Sequence, residues 1–103
     1  MAEPTGSVEP IELDLGTVLS ALADPHRRRV IHDLVNDEDG VTRSCTSFGL
    51  DLSKSTRSHH FKVLREAGLV HQVDRGNRSE VTLRRQDLES RFPGLLDLIG
   101  NES

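Results

Sequence analysis

Apolar residues recur every three or four positions along most of this chain, which is the spacing of one face of an α-helix. The clearest case is the segment 52–70, LSKSTRSHHFKVLREAGLV. Ser53 is a favourable N-cap and Gly68 is a favourable residue after the last turn, so both ends of one helix are indicated. The positions expected to face a core are Thr56, His60, Val63, Leu64 and Ala67.

Two helices are predicted before this segment. The first runs from Asp14 to Ala23, and Asp24-Pro25 ends it and begins the second, with Asp24 as N-cap and Pro25 at the first helical position. The first helix has apolar residues at helical spacing, Leu15, Val18, Leu19 and Leu22, and the predicted buried face of the second consists of Val30, Ile31, Leu34 and Val35. A polar turn, NDEDG, follows the second helix, and a short third helix is predicted over residues 42–48.

Helix 42–48, the glycine-containing turn after it and helix 52–70 have the order of a helix-turn-helix. Two short β-prone runs follow, 69–73 and 80–83, with Arg75-Gly76-Asn77-Arg78 as a hairpin tip. A hairpin directly after a recognition helix is typical of a winged helix. The predicted fold is therefore mainly α with a small β-hairpin, a winged helix-turn-helix.

The final segment, 86–99, is rich in large apolar residues and is interrupted by Pro93. It has more apolar surface than a small domain is expected to cover, so we expect a homodimer through the first and last helices. The residues predicted at the dimer interface are Leu15, Leu19, Leu88, Phe92, Leu95, Leu96 and Ile99.

Length and charge refine this organisation. The 103 residues suit one domain, with residues 1–13 as a disordered acidic arm, 14–99 as the folded domain and 100–103 as a tail. The net charge is −4, but residues 54–85 carry eight basic and only three acidic residues. A basic patch on an acidic protein favours a defined nucleic-acid site over indiscriminate binding.

The outer face of helix 52–70 and the hairpin tip are the candidate DNA-binding surface. Lys, Arg, Ser and His donate hydrogen bonds to base edges and phosphates, and a hairpin tip reaches the backbone or the minor groove. The alternative is a solvated helix and a solvated tip. The candidate DNA contacts are Lys54, Ser55, Arg57, Ser58, His59, Lys62, Arg75, Asn77 and Arg78.

Three arginines, Arg27, Arg28 and Arg29, stand in the first turn of the second helix, where the helix dipole disfavours cations. These arginines could contact DNA phosphates, or they could pair with acidic residues and pack against other helices. We prefer ion pairing and packing for Arg28 and Arg29, and both explanations remain open for Arg27.

Three segments together resemble the ArsR/SmtB family of bacterial winged-helix regulators: ALADPHRRRVIHDLV, LSKSTRSHHFKVLREAGLV and RGNRSEVTL. The resemblance implies a homodimer on an inverted-repeat operator, released in many members by a metal ion. It assigns the outer face of helix 52–70 to DNA reading and His60 to packing against the domain. Ser55 and Arg57 depart from the Pro and small apolar residue common in the family, so base preference is expected to differ.

The metal sites usual in that family are incomplete here. Its thiol sensors use a pair of cysteines, whereas this chain has only Cys45, and the final helix has carboxylates but no histidine. A nitrogen and oxygen site is the remaining alternative, for which His32, Asp37 and His71 are weak candidates. Such ligands suit nickel, zinc or cobalt.

Other function classes are less consistent with the residues. No nucleophile with a base, carboxylate pair or phosphate-binding glycine loop is evident, so an enzyme is not expected. One cysteine and the lack of an apolar run long enough to span a membrane predict a cytoplasmic protein. The main alternative is a winged-helix module that binds a partner protein, or a regulator whose signal is such a partner.

Overall fold

The computed structural model describes residues 12–102, which form five helices and one three-stranded antiparallel sheet. The elements in chain order are α1 (Leu15–Ala23), α2 (Pro25–Asn36), β1 (Thr42–Ser44), α3 (Lys54–Glu66), β2 (Val70–Asp74), β3 (Ser79–Leu83), α4 (Arg85–Arg91) and α5 (Leu95–Gly100). The predicted disordered arm lies outside the described residues, apart from Glu12 and Leu13. None of the helices in the described part is long and apolar enough to cross a membrane.

The boundary between α1 and α2 is set by local capping, as predicted. The Asp14 carboxylate accepts a hydrogen bond from the Thr17 amide at 2.9 Å and begins α1. The Asp24 carboxylate accepts from the amides of His26 and Arg27, at 2.8 and 3.2 Å, and begins α2 with Pro25 in its first turn. These bonds satisfy amides that have no partner inside a helix.

Both predicted ends of α3 are also confirmed. The Ser53 hydroxyl accepts from the Thr56 amide at 3.2 Å, and Gly68 has φ of +85° after the last turn. The Leu69 amide then donates to the Leu64 carbonyl at 3.0 Å, which is the closing bond of a Schellman motif. The predicted inner face needs one correction, because Thr56 is exposed and Phe61 is buried.

The short helix predicted over residues 42–48 is wrong. Residues 42–44 form β1, which pairs antiparallel with β3, and a turn follows over 45–48. Thr42 lies opposite Thr82 with their hydroxyl oxygens 2.8 Å apart, and the Ser47 hydroxyl donates to the Ser44 carbonyl at 2.7 Å. Ser and Thr side chains form hydrogen bonds that compete with the backbone bonds of a helix. In this segment the backbone groups instead pair with those of strand β3.

The hairpin is confirmed, with β2 and β3 paired from Val70–Leu83 at the base to Asp74–Ser79 at the tip. The sheet order is β1-β3-β2, so β3 is central, and the outer hairpin strand β2 contacts α3. At the tip Gly76 has φ of +90°, and its amide donates to the Asp74 carboxylate at 2.9 Å. Glycine is favoured at this position because the tight turn requires a left-handed backbone conformation, which residues with a Cβ rarely adopt.

The C-terminal segment packs on its own domain more fully than the sequence suggested. Leu88, Leu96 and Ile99 are buried within this chain's core, and α5 packs on α2. The interruption near Pro93 is confirmed, since α4 ends at Arg91 and Gly94 adopts φ of +91° before α5. The helix continues to Gly100, so the predicted tail begins inside α5.

Candidate nucleic-acid interface

The outer face of α3 is solvent-facing and polar along the whole helix. Its residues Lys54, Ser55, Ser58, His59, Lys62 and Arg65 are exposed, and Arg57 is half-buried. The inner face of α3 holds it to the domain through Phe61 and Leu64, whose side chains are 2 % and 0 % exposed. The helix therefore presents donors to solvent from a rigid support, as predicted.

A concave surface lies between α3 and the hairpin, with a volume of about 770 Å³. We call it the α3–wing cleft, and it is lined by Lys54, Arg57, Ser58, Lys62 and Arg65 from α3, by Asn77 and Arg78 from the tip, and by Ser44, Cys45 and Thr46 from the β1 turn. The cleft is dominated by cations and hydroxyl groups. Such groups bind phosphates and base edges. Six of the nine predicted DNA contacts line this cleft, whereas Ser55, His59 and Arg75 are exposed outside its lining.

One carboxylate organises the two arginines of the hairpin tip. Glu80 Oε1 lies 3.2 Å from Arg75 Nε, and Glu80 Oε2 lies 2.8 Å from Arg78 Nη2. Both arginine side chains are 60 % exposed, whereas Glu80 is only 15 % exposed. The guanidinium groups are therefore held at the tip and remain open to solvent, a role of Glu80 that sequence spacing did not predict.

Cys45 stands in the turn after β1 and lines the α3–wing cleft. Burial raises the pKa of its thiol to about 11, although the nearby Arg57 guanidinium opposes that shift. A thiol with this pKa is protonated near neutral pH and is a poor metal ligand or nucleophile. Its environment is that of a small, half-buried apolar side chain.

The arginines at the start of α2 serve packing and ion pairing. Arg28 Nε lies 3.0 Å from the Glu102 carboxylate, and the closest atoms of Arg29 and Asp33 are 4.0 Å apart. Arg27 donates through Nε to the Ala21 carbonyl at 2.7 Å. The arrangement agrees with the preferred explanation for Arg28 and Arg29, and it resolves Arg27 in favour of packing.

Arg27 also joins α2 to α3. Its Nη1 lies 3.2 Å from Nδ1 of His60, which is 7 % exposed on the inner face of α3. Asp24 and His26 stand beside this pair, and one ligand atom from each of Asp24, His26 and His60 lies within 4.8 Å of the others. We call these three residues the α2–α3 cluster.

Two ionisable groups of the cluster have shifted pKa values. Burial lowers the pKa of His60; the Asp24 carboxylate opposes this shift and Arg27 adds to it, leaving the pKa below its usual value. Burial raises the pKa of Asp24, but the amides of Arg27 and His26 that donate to it outweigh burial and leave the pKa lowered.

The sequence-based metal candidates are not brought together. His32 Nδ1 lies 3.4 Å from Asp33, Asp37 pairs with Arg43 at 3.3 Å, and His71 belongs to β2. Within residues 12–102 the one grouping of at least three metal-ligating side chains is the α2–α3 cluster. Residues 26 and 60 are far apart in sequence, so only the packing of α2 against α3 reveals it.

The predicted dimer surface divides into a buried and an exposed part. Leu88, Leu96 and Ile99 belong to the chain's own core, and Phe92 and Leu95 are half-buried. The exposed large apolar residues of the described part are Leu15 at 49 %, Leu19 at 50 % and Leu98 at 72 %. An interface between copies stays a prediction, now centred on α1 and the exposed side of α5.

Comparison with known proteins agrees with this geometry. A family description for a helix-turn-helix domain matches residues 22–73. The HTH-type transcriptional regulator YceK of Bacillus subtilis (strain 168), itself uncharacterized, is 33% identical over 84 residues, covering 80% of this chain and 82% of that protein.

Solved structures show the same fold. HlyU from Vibrio cholerae is similar with a TM-score of 0.63 at 23% identity, over 82% of this chain and 85% of that one. An ArsR-like transcriptional regulator from Rhodococcus sp. RHA1 has a TM-score of 0.59 at 23% identity, over 82% and 77% of the two chains. With the fold, the α3–wing cleft and these relatives in agreement, the chain belongs to the helix-turn-helix transcriptional regulators, and its fold is the winged helix of the ArsR-like structures.

Proposed function

We propose that this regulator binds an inverted-repeat DNA operator as a homodimer and recognises its sequence through α3. The observation that carries the proposal is the α3–wing cleft, in which donors of α3 share one surface with Arg78 of the hairpin tip, and Arg75 stands beside Arg78 on the same carboxylate. A helix of this kind fits the major groove, and a two-fold dimer matches a palindromic site.

The two parts of the cleft have different tasks in this proposal. Arg57 and Ser58 lie on the outer face of α3 and contact base edges, where a fixed pattern of donors distinguishes sequences. Arg75 and Arg78, held by Glu80, contact the sugar-phosphate backbone and add affinity for any sequence.

Fluorescence anisotropy with DNA from the gene's own promoter, titrated at several salt concentrations, tests this division. Arg57→Ala is expected to cost about 1–3 kcal/mol on the operator and to relax base discrimination. Arg78→Ala is expected to weaken binding to all sequences and to reduce the salt slope by about 1.

Arg29→Ala is the matched control, because Arg29 is 58% exposed on α2 and lies outside the cleft. It removes the same charge and is expected to leave operator binding nearly unchanged. Parent-like binding by both cleft variants would refute the docking arrangement.

The homodimer is proposed from the apolar side chains that the described part leaves exposed. Leu15 and Leu19 project from α1 and Leu98 from α5, and a second copy would remove them from water. Leu19→Lys is expected to shift sedimentation toward monomer while helical content is retained, since half of this side chain is already exposed. Thr46→Lys, on an exposed turn, controls for the added charge, and an unchanged dimer in Leu19→Lys would contradict this interface.

A partner protein is the competing ligand for the cleft or for the regulatory signal. Binding through an apolar protein interface would not decrease steeply with salt, whereas DNA binding releases counterions and does. Selective, salt-sensitive operator binding therefore supports the DNA-binding proposal, and its absence under all salt conditions favours the interaction module.

We further propose that a divalent transition metal modulates binding, and that the protein acts in the cytoplasm.

A further inference from the structure

We propose that the α2–α3 cluster is a binding site for a divalent transition-metal ion, with Asp24, His26 and His60 as its protein ligands. One carboxylate and two imidazoles form a ligand set that suits zinc, nickel or cobalt. Their ligand atoms already lie within 4.8 Å of one another, so small side-chain movements bring them to one ion. This ligand set differs from the one that the sequence suggested.

The three ligands come from two elements, with Asp24 and His26 at the start of α2 and His60 on α3. Asp24 is held by the two amides at the start of α2, and His60 is buried on α3. His26 has a side chain that is 48% exposed and gives an ion access from solvent. The rings of His26 and His60 have centroids 5.7 Å apart, so both face the same space.

Arg27 makes this site a switch. A guanidinium group only donates, so Nδ1 of His60 accepts its hydrogen bond and the ring carries its single proton on Nε2. A metal on Nδ1 displaces Arg27 directly. A metal on Nε2 needs the lone pair of that nitrogen, so the ring proton moves through solvent from Nε2 to Nδ1, and Nδ1 then no longer accepts from Arg27.

Metal binding at either nitrogen therefore breaks the Arg27–His60 bond. Arg27 also donates to the Ala21 carbonyl of α1, so this side chain links α1, α2 and α3 when the metal is absent. When Arg27 loses its hydrogen bond to His60, α3 is held less firmly against α1 and α2. This coupling rests on the proposed function, whereas the binding of the ion does not.

Zn²⁺ binding is measured first, without DNA, by competition with a chromophoric chelator at neutral pH. One ion per chain is expected, and Asp24→Asn and His26→Gln are each expected to weaken binding by at least about tenfold. Asp24→Asn retains the N-cap, because Asn is as good a cap as Asp, and His26 is exposed enough to be replaced without unfolding.

His32→Gln is the discriminating comparison, because His32 lies on the same helix beside a carboxylate but outside the cluster. The His32→Gln variant is expected to bind Zn²⁺ with the same affinity as the parent protein. If His32→Gln weakens binding and His26→Gln does not, the site lies elsewhere on α2 and the proposal is overturned. Failure of the parent chain to bind Zn²⁺ overturns it as well.

Arg27→Gln tests the competition between the guanidinium group and the ion. Removing this cation is expected to tighten Zn²⁺ binding, and an unchanged affinity would overturn the proposed switch. The coupling is then measured by operator anisotropy with and without Zn²⁺, where the parent changes affinity and His26→Gln does not. Absence of operator binding in metal-free protein would refute the proposed function while leaving the chelator titration interpretable.

Discussion

Replacing Glu80 by Gln tests how the hairpin tip contributes to DNA binding. The Glu80 carboxylate pairs with Arg75 and Arg78, and it lies between the two cations that the proposed function assigns to the DNA backbone. A phosphate at the tip must displace this carboxylate or approach it against electrostatic repulsion. Glu80→Gln removes the charge and keeps nearly the same shape, so tip affinity for DNA is expected to increase.

The size of the effect follows from the exposure of the pairs. Both arginine side chains are 60% exposed, and exposed ion pairs contribute about 0.2–1 kcal/mol each. The two pairs together are therefore worth about 1 kcal/mol of folding stability. The same free energy becomes available for DNA binding, which corresponds to an affinity gain of about fivefold.

The assay is anisotropy on operator and on a scrambled duplex at several salt concentrations. Because the gain is in backbone contacts, both duplexes are expected to gain equally, with a salt slope steeper by about 1. Glu38→Gln removes one carboxylate from an exposed turn outside the cleft and is expected to have little effect, since distant exposed charges are screened. Weaker binding by Glu80→Gln would show instead that Glu80 orients the arginines productively.

Three further predictions concern stability and reactivity. Gly68→Ala forces a φ of +85° on a residue with a Cβ and is expected to lower the free energy of unfolding by about 1–2 kcal/mol in urea denaturation; no loss would contradict the capping role. Leu96→Ala removes a side chain that is 1 % exposed and is expected to cost about 2–5 kcal/mol at every protein concentration, whereas a cost that varies with concentration would place Leu96 in an interface. Cys45, with a pKa of about 11, is expected to be alkylated at pH 8 about a hundredfold more slowly than in urea-unfolded protein, and equal rates would refute its burial.

The sequence predicted the fold well where structure depends on neighbouring residues. Capping by Asp24 and Ser53 and the reversal at Gly68 involve backbone groups within a few positions, so residue type alone indicates them. The outer face of α3 was predicted for the same reason, because helical periodicity separates donors from apolar residues before any tertiary contact forms.

Prediction failed where a distant partner decides the conformation. Residues 42–44 have weak helix preference, and pairing with β3 some forty positions later makes them a strand. Leu88, Leu96 and Ile99 were assigned to a dimer interface but lie in this chain's own core, because periodicity does not distinguish burial in the same chain from burial in a second copy. Leu96 illustrates this, because its packing depends on the position of α2 and not on its neighbours. The interface itself stays a prediction.

The sequence by itself determined the boundaries of α1, α2 and α3, the polar face of α3 and the basic hairpin tip, because each depends on local hydrogen bonds or on periodicity. Only the tertiary structure decided which distant groups meet. Glu80 is brought between Arg75 and Arg78 by the register of the hairpin. Asp24 and His60 are brought together by packing of α2 on α3, a contact that no spacing along the chain encodes.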